Sequence, residues 1–312
     1  MKDLNKPPYE QSAIAFIESP FQLLCAIEAI QHFGFERWQI VCRLNSFREN
    51  NRQIKRTVEL LNIPLAKICI ITVGNTITEK MIAPVYSMFL FLKTINCDKV
   101  IIGNRESRLL SLVCLWTPKR KLIFVDDGTK TLSKLRAGNA RDNLESPATI
   151  FTVFKLPWKV GEESFVENTF AQLKMAIQNE ANIGKLAGQM FLGCPLSEND
   201  IISEVEYISH VKKAADACPG KVLIYIPHRN ESALKLDLIS GIWGVSIKPI
   251  SYPIELYAFN EGKCPGEVIS FYSTALYTLK KIYGCQVKYI RIDPQKHRAS
   301  ILAVYDYYID NL

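Results

Sequence analysis

Short apolar runs alternate along the chain with longer stretches whose apolar residues recur at helical spacing. Ala13–Ile17 predicts a strand. Phe21–His32 behind it predicts a helix, with Leu23, Leu24, Ala26, Ile27 and Ile30 spaced to line one face. Ser19 stands where an N-cap hydroxyl is wanted, and Pro20 takes the first helical position, where a missing N–H costs nothing. The alternation continues with strands at Trp38–Cys42, Ile68–Val73, Lys99–Ile102 and Leu122–Val125, and helices at Asn50–Leu61, Glu79–Thr94 and Ser107–Leu115. Apolar strands separated by helices predict a parallel, doubly wound sheet, and right-handed crossovers put every strand end on one rim.

Residues 129–165 break the pattern with Gly138, Asn139, Pro147, Pro157, Trp158 and Gly161, which predict a loop and a connector. Residues 163–215 read as mostly helical, interrupted at Gly193-Cys194-Pro195. Such an insert is expected to shape acceptor choice or to mediate a homodimer. Alternation then resumes. Strands are predicted at 221–226, Val245–Ile247, Glu267–Ser270 and Gln286–Ile292, and helices from Ser232, from Pro253, at Thr274–Ile282 and at Arg298–Ile309. The expected fold is α/β, two Rossmann-like domains facing across a cleft (GT-B type), divided as 1–155 and 156–312.

Composition narrows the classes. The 312 residues are 48% hydrophobic and 22% charged, ordinary for a globular chain with room for two cores. No uncharged apolar run reaches the length of a membrane span, and Met81–Leu92 reads as a packed helix. Met1–Gln11 is polar and lacks the apolar core of a signal peptide. Nine scattered cysteines without a C-x-x-C pair predict reduced thiols and a cytoplasmic protein. Four histidines, none at ligand spacing, predict no metal site. The net charge of +7 suits an anionic ligand or membrane surface, while the lack of a basic stripe interleaved with aromatics argues against nucleic acid.

Candidate chemistry sits at predicted strand ends, where ligands bind in open α/β sheets. Asp126-Asp127-Gly128 follows Val125. Adjacent carboxylates on extended backbone point to opposite sides, so one can face a ligand as general base while the other packs. His228 and Arg229 follow the strand at 221–226: an imidazole able to donate to a leaving phosphate and a guanidinium able to fork one. Ser270, Ser273 and Thr274 join a strand to a helix start, an anion cradle that needs no glycine-rich loop. Glu255 lies in the first turn after Pro253, placed to meet a ribose diol. Glu18-Ser19-Pro20-Phe21-Gln22 occupies the turn where a dinucleotide-binding domain carries G-x-G-x-x-G; without that motif a nicotinamide oxidoreductase is disfavoured. Asn104 ends another strand and is placed to touch a polar ligand.

In motif order the chain resembles bacterial sialyltransferases of the lipooligosaccharide type, glycosyltransferase family 52, which are related to polysialyltransferases. The corresponding residues are Asp126-Asp127-Gly128, His228 and Ser273-Thr274, with Glu18-Ser19-Pro20-Phe21-Gln22-Leu23 similar to that family's first strand–helix junction. One departure is that Arg229 follows His228, with Pro227 before it instead of proline after. The resemblance implies an inverting, metal-independent transfer of sialic acid or a related nonulosonic acid from a CMP-activated donor to a surface-glycan hydroxyl. It implies no cofactor beyond that donor. Asp127, or else Asp126, would be the base, His228 would serve the leaving phosphate, and Arg229, Glu255, Ser270, Ser273, Thr274, Ser19, Gln22 and Asn104 would bind the donor. Lipooligosaccharide or capsule biosynthesis, with peripheral contact at the inner membrane, would be its setting. The alternative reading is a GT-B glycosyltransferase using a UDP- or GDP-sugar; a receptor for an anionic sugar is the non-enzymatic one.

Overall fold

The first apolar run forms β1 (Ser12–Ile17), buried from Ala13 onward, an interior strand of a seven-stranded sheet. This computed structural model describes residues 11–72, 77–128, 148–155, 165–180, 182–186, 188–217 and 220–312, without the side chains of 77–83. The other strands are β2 (Arg37–Leu44), β3 (Ile68–Thr72), β4 (Lys99–Ile102), β5 (Leu122–Val125), β6 (Thr149–Thr152) and β7 (Phe165–Glu167). They pair in the order β3-β2-β1-β4-β5-β6-β7, every pair parallel. The helices α1 (Pro20–His32), α2 (Arg48–Leu60), α3 (Ile77–Thr94) and α4 (Arg108–Trp116) connect them. The sheet grows from β1 to β3 in one direction, then β4 returns to the other side of β1. That border is the topological switch point, where the strand ends open a crevice. Ile14, Phe16, Val100 and Ile102 on the sheet pack with Leu90 of α3 and Leu109, Leu110 and Val113 of α4 in one core cluster.

The second sheet repeats the plan with β9 (Gln189–Leu192) as its first strand. β10 (Leu223–Ile226), β11 (Val245–Ile247), β13 (Glu267–Ser270) and β14 (Gln286–Tyr289) complete the order β11-β10-β9-β13-β14, again all parallel. The helix α5 (Ala171–Asn179) leads in from the first unit, where its Gln172 and Leu173 N–H groups donate to Glu28 of α1. Around the strands run α6 (Glu204–Asp216), α7 (Ala233–Ser240), α8 (Tyr257–Glu261), α9 (Thr274–Tyr283) and α10 (Arg298–Asn311). A small separate ladder pairs β8 (Gly184–Lys185) with β12 (Lys263–Cys264). The core carries packed aromatics: the Phe191 ring stacks on Tyr225 at 5.5 Å between centroids and meets Phe271 edge-on at 5.7 Å. Hydroxyl caps start several helices, with Ser19, Ser203, Ser232 and Ser273 each accepting from a first-turn N–H.

Each sheet is thus Rossmann-like, and the chain divides into two compact units with the division inside α5, at Leu173/Lys174. The sequence pattern placed it near residue 155. The difference comes from β6 and β7, two further strands of the first sheet that lie within and just beyond the stretch read as a loop and connector. Gly138, Asn139, Pro147, Pro157, Trp158 and Gly161 of that stretch, and Met1–Glu10, lie outside the described residues. The segment 163–215, expected to be mostly helical, instead holds β7, β8 and the central strand β9 besides α5 and α6. Four residues between Gly188 and Gly193 are too few for periodicity to tell a strand from a helix. Among the described residues no helix is long and apolar enough to cross a membrane.

Candidate functional site

On the first sheet, the carboxyl ends of β1, β4 and β5 carry one hydrogen-bonded cluster. Gln22, in the first turn of α1 and 1% exposed, accepts from the Glu18 backbone N–H (2.7 Å) and donates through Nε2 to Asp127 Oδ1 (2.6 Å). Gly103 makes room for it: a Cβ there would lie 2.5 Å from Gln22 Oε1. The Glu18 carboxylate accepts from Arg43 Nη1 (2.7 Å), Ser107 Oγ (2.6 Å) and Asn104 Nδ2 (3.0 Å). Asn50 Nδ2 donates to the Glu18 carbonyl (2.9 Å). Ser19 caps α1 by accepting from Gln22 N (3.3 Å).

The two adjacent aspartates part ways. Asp126 is 0% exposed; its carboxylate accepts from Thr152 Oγ1 and from Val153 N, both at 2.7 Å, and so fastens β5 to the end of β6. Asp127 is half-buried at the rim, oriented by Gln22. Extended backbone sends neighbouring side chains to opposite faces, which is why one anchors the sheet and the other stands at its edge. Of the predicted residues of this unit, the structure gathers Ser19, Gln22, Asn104 and Asp127 around Glu18.

On the second sheet, His228 is half-buried just past β10 and Arg229 is exposed. The imidazole Nδ1 accepts from Asn230 N (3.2 Å), which leaves Nε2 as the donor of the neutral ring. Burial, aided by the positive charges of Arg229 and Lys235 and opposed by Glu198, pushes its pKa down to about 4. The ring is therefore neutral at pH 7.

Beneath it lies a polar network that the sequence pattern did not announce. Glu231 Oε2 accepts from the His228 backbone N–H (2.7 Å). Its Oε1 accepts from Tyr225 (2.6 Å) and Tyr207 (3.1 Å) and pairs with Lys235 Nζ (2.8 Å). The side chains of Glu231 and Lys235 are both 0% exposed. Lys235 also donates to Glu198 (2.8 Å) and to the Cys194 carbonyl (3.1 Å), and its Nζ sits 3.9 Å from the Tyr207 ring centroid. Gly193 leaves space for the carboxylate, since a Cβ there would lie 2.1 Å from Glu231 Oε2. The available signal was the four-residue spacing of Glu231, just before the Ser232 cap, and Lys235 in the first turn of α7, which lets the two side chains meet.

At the switch point of this sheet, β13 runs into α9. Ser273 caps α9 by accepting from Ala275 N (3.2 Å), and its carbonyl accepts from Tyr308 of α10 (2.5 Å). Thr274, half-buried, opens the helix. Ser270, expected at the rim, is 0% exposed; it donates to the Leu192 carbonyl (2.8 Å) and ties β13 to β9. Glu255 is 5% exposed and accepts from Thr278 of α9 (2.7 Å); burial raises its pKa, against the lowering effect of that hydroxyl. The structure thus keeps His228, Ser273 and Thr274 at strand and helix ends while Ser270 and Glu255 support them from below.

Comparisons with known proteins bear on the whole chain. No family model matches it, and no curated sequence matches it. Solved structures are similar over both units. One assigned as a UDP-N-acetylglucosamine 2-epimerase, from Listeria monocytogenes, has a TM-score of 0.61 at 13% identity, covering 91% of this chain and 80% of that one. The UDP-GlcNAc 2-epimerase of Neisseria meningitidis, bound to UDP-GlcNAc, has 0.59 at 11% identity, covering 96% and 91%. That of Methanocaldococcus jannaschii, in complex with UDP-GlcNAc and UDP, has 0.55 at 13%, covering 97% and 92%. At such identities the likeness is one of fold, two Rossmann-like domains of the GT-B class. It corrects the resemblance drawn from motif order: these three structures, similar over nearly the whole chain, are UDP-sugar enzymes, not CMP-sialic acid sialyltransferases. The physical reason is that any pair of Rossmann-like sheets delivers acids, imidazoles and hydroxyls to strand ends in sequence order, so the order of such short motifs reflects topology before chemistry.

Proposed function

We propose that this protein is a UDP-sugar enzyme, and within that class a glycosyltransferase that passes the sugar to a hydroxyl of a glycan acceptor. The observation that carries the reading is the similarity of fold over 96% of the chain to an enzyme holding UDP-GlcNAc. The second unit's rim supports it chemically. As the anomeric C–O bond breaks, negative charge grows on the departing diphosphate, and donors already in place lower that barrier most. His228, neutral with Nε2–H as donor, serves that oxygen. Arg229 forks a phosphate, and the start of α9 at Ser273 and Thr274 offers N–H groups and the positive end of the helix dipole. Glu255 acts from beneath, holding Thr278 of α9 and with it the helix start that meets the phosphate.

In the first unit Asp127 takes the acceptor's proton as its oxygen attacks, a contribution of about 10²–10⁴-fold. Gln22 orients it. Epimerisation of the UDP-sugar itself is a second reading, favoured by the epimerases among the similar structures. The test is a binding screen followed by turnover. UDP and UDP-N-acetylglucosamine should raise the unfolding temperature and CMP should not. Proton NMR of the reaction then separates release of UDP that needs a glycan acceptor from appearance of a C2 epimer without one. Stabilisation by CMP in preference to UDP, or by neither, ends the proposal.

A further inference from the structure

The helix α3 is apolar on two sides. Ser87 and Leu90 turn inward against α4 and the sheet. On the other side Val85, Met88, Phe89 and Leu92, at the spacing of one helix face, are 67, 46, 51 and 55% exposed. Ile95 and Leu115 extend this strip at the carboxyl ends of α3 and α4. Scattered apolar residues on a surface are normal, but a contiguous strip marks an interaction face.

The charges beside the strip say what it meets. Lys93 Nζ sits 5.1 Å from the Phe89 ring centroid. The basic turn Lys119–Lys121 is fastened at the end of the strip: Lys121 Nζ donates to the carbonyls of Ile95 (3.3 Å) and Cys97 (2.7 Å), and Lys99 Nζ to that of Arg120 (2.9 Å). Half-buried Trp116 packs edge-on against Phe91 at the same end, 5.7 Å between centroids. Asp98, an acid nearby, is engaged by the N–H and hydroxyl of Ser12, both at 2.8 Å. Apolar side chains bordered by an aromatic and a row of cations match the layered chemistry of a bilayer surface with negative headgroups.

We propose that this strip docks the protein on an anionic lipid bilayer, with Val85, Met88, Phe89 and Leu92 entering the acyl boundary and Lys93, Lys119, Arg120 and Lys121 on headgroup phosphates. The basic turn lies where β4 and β5 begin, whereas Asn104 and Asp127 follow their carboxyl ends, so docking leaves the rim of the first sheet uncovered. A second copy of the chain could also bury the apolar residues. The net charge of +7 opposes that pairing and favours a negative surface.

Sedimentation of the full chain with vesicles tests the proposal. Phosphatidylcholine vesicles containing about one-third phosphatidylglycerol should bind it, pure phosphatidylcholine should bind far less, and salt should weaken the association. Lys119→Ala and Arg120→Ala should each lower affinity about fivefold. Phe89→Ser with Leu92→Ser should lower it more than about tenfold, with the unfolding temperature and UDP binding unchanged, because both side chains are exposed. The proposal is overturned if the wild-type chain ignores anionic vesicles or if these variants bind them equally well. It is equally overturned if light scattering finds a dimer that the Phe89/Leu92 variant splits, since the strip would then belong to a second copy.

Discussion

Two aspartates side by side carry different loads, and a pair of substitutions separates them. Asp126→Ala removes the acceptor from a buried N–H and a buried hydroxyl, each worth about 1–3 kcal/mol when left unpaired. Urea unfolding should register a loss of about 2–5 kcal/mol. Asp127→Ala strands one donor, Gln22 Nε2, and should cost less, about 1–3 kcal/mol, while losing at least about 10²-fold in turnover. Equal stability of the two variants would dissolve the distinction. The sequence made both carboxylates visible as a motif, and the alternation of extended backbone said that they diverge. It did not say which one turns inward, because that choice rests on Thr152 and Val153, at the end of a strand the sequence pattern left inside a loop. His228 was visible for the same reason, as the residue following an apolar run. Its environment was not, since Glu231, Tyr207, Tyr225 and Lys235 converge from different elements. That environment yields a pH dependence. The folded ring titrates near 4 and the unfolded one near 6.5, so below 6.5 the unfolded chain takes up a proton that the folded chain refuses. The stability held by the neutral ring is complete above about pH 6.5 and is lost as pH falls through about 4. Denaturation midpoints measured across that range should fall more steeply for the wild type than for His228→Gln. Lys235→Met should raise the His228 pKa in an NMR titration by removing a nearby positive charge, and should cost about 3–5 kcal/mol by stranding Glu231.

At the scale of elements, the strands that read most clearly were those bounded by obvious turns. Lys99–Ile102, Leu122–Val125, Val245–Ile247 and Glu267–Ser270 appear with the bounds the sequence suggests. The start of α1 was legible from Ser19 and Pro20, a hydroxyl and a ring whose roles are local. β9 was not, although it is the middle of the second sheet. Its identity as a strand is imposed by β10 and β13 on either side, and a four-residue run holds no internal record of such neighbours. The glycine that ends it reports on the same neighbours. Gly193 passes beneath Glu231 and Tyr225, and a methyl group there would meet them at 2.1 and 2.6 Å. Both atoms are tied into the buried network, so neither can swing away cheaply. Gly193→Ala should therefore cost at the upper end of the about 1–3 kcal/mol typical of overpacking. It should also shift the His228 resonances, because Glu231 holds the His228 backbone. Wild-type stability in this variant would mean that the network yields more easily than its burial implies.

Over the whole molecule, the two-sheet plan was readable because each half repeats the alternation of strand and helix, while the division point was not, because β6 and β7 carry too little pattern to be counted. The donor was misread for a related reason. Composition and strand-end motifs describe a class of nucleotide-sugar folds, and the choice among nucleotides is made by the shape of a pocket that short motifs do not encode. The distribution of thiols is a property of the entire fold and gives a probe of it. The eight described cysteines form no disulfide, and Cys25, Cys42, Cys194 and Cys285 are buried. Burial pushes the Cys42 thiol up to about 12 and those of Cys194 and Cys285 to about 11. A thiol three pH units below its pKa is thiolate on the order of one time in a thousand, and thiolate is the form that alkylates. At pH 8 iodoacetamide should therefore modify these positions only as fast as the surrounding structure opens. Cys194 and Cys285 lie around the second sheet and Cys25 and Cys42 around the first, so peptide-resolved mass spectrometry reads the opening of each unit separately. Added UDP should slow labelling at Cys194 and Cys285 in proportion to its occupancy, because ligand bound to the folded form alone suppresses opening. Protection confined to Cys25 and Cys42 would move the nucleotide to the first unit and reverse the assignment of the two rims.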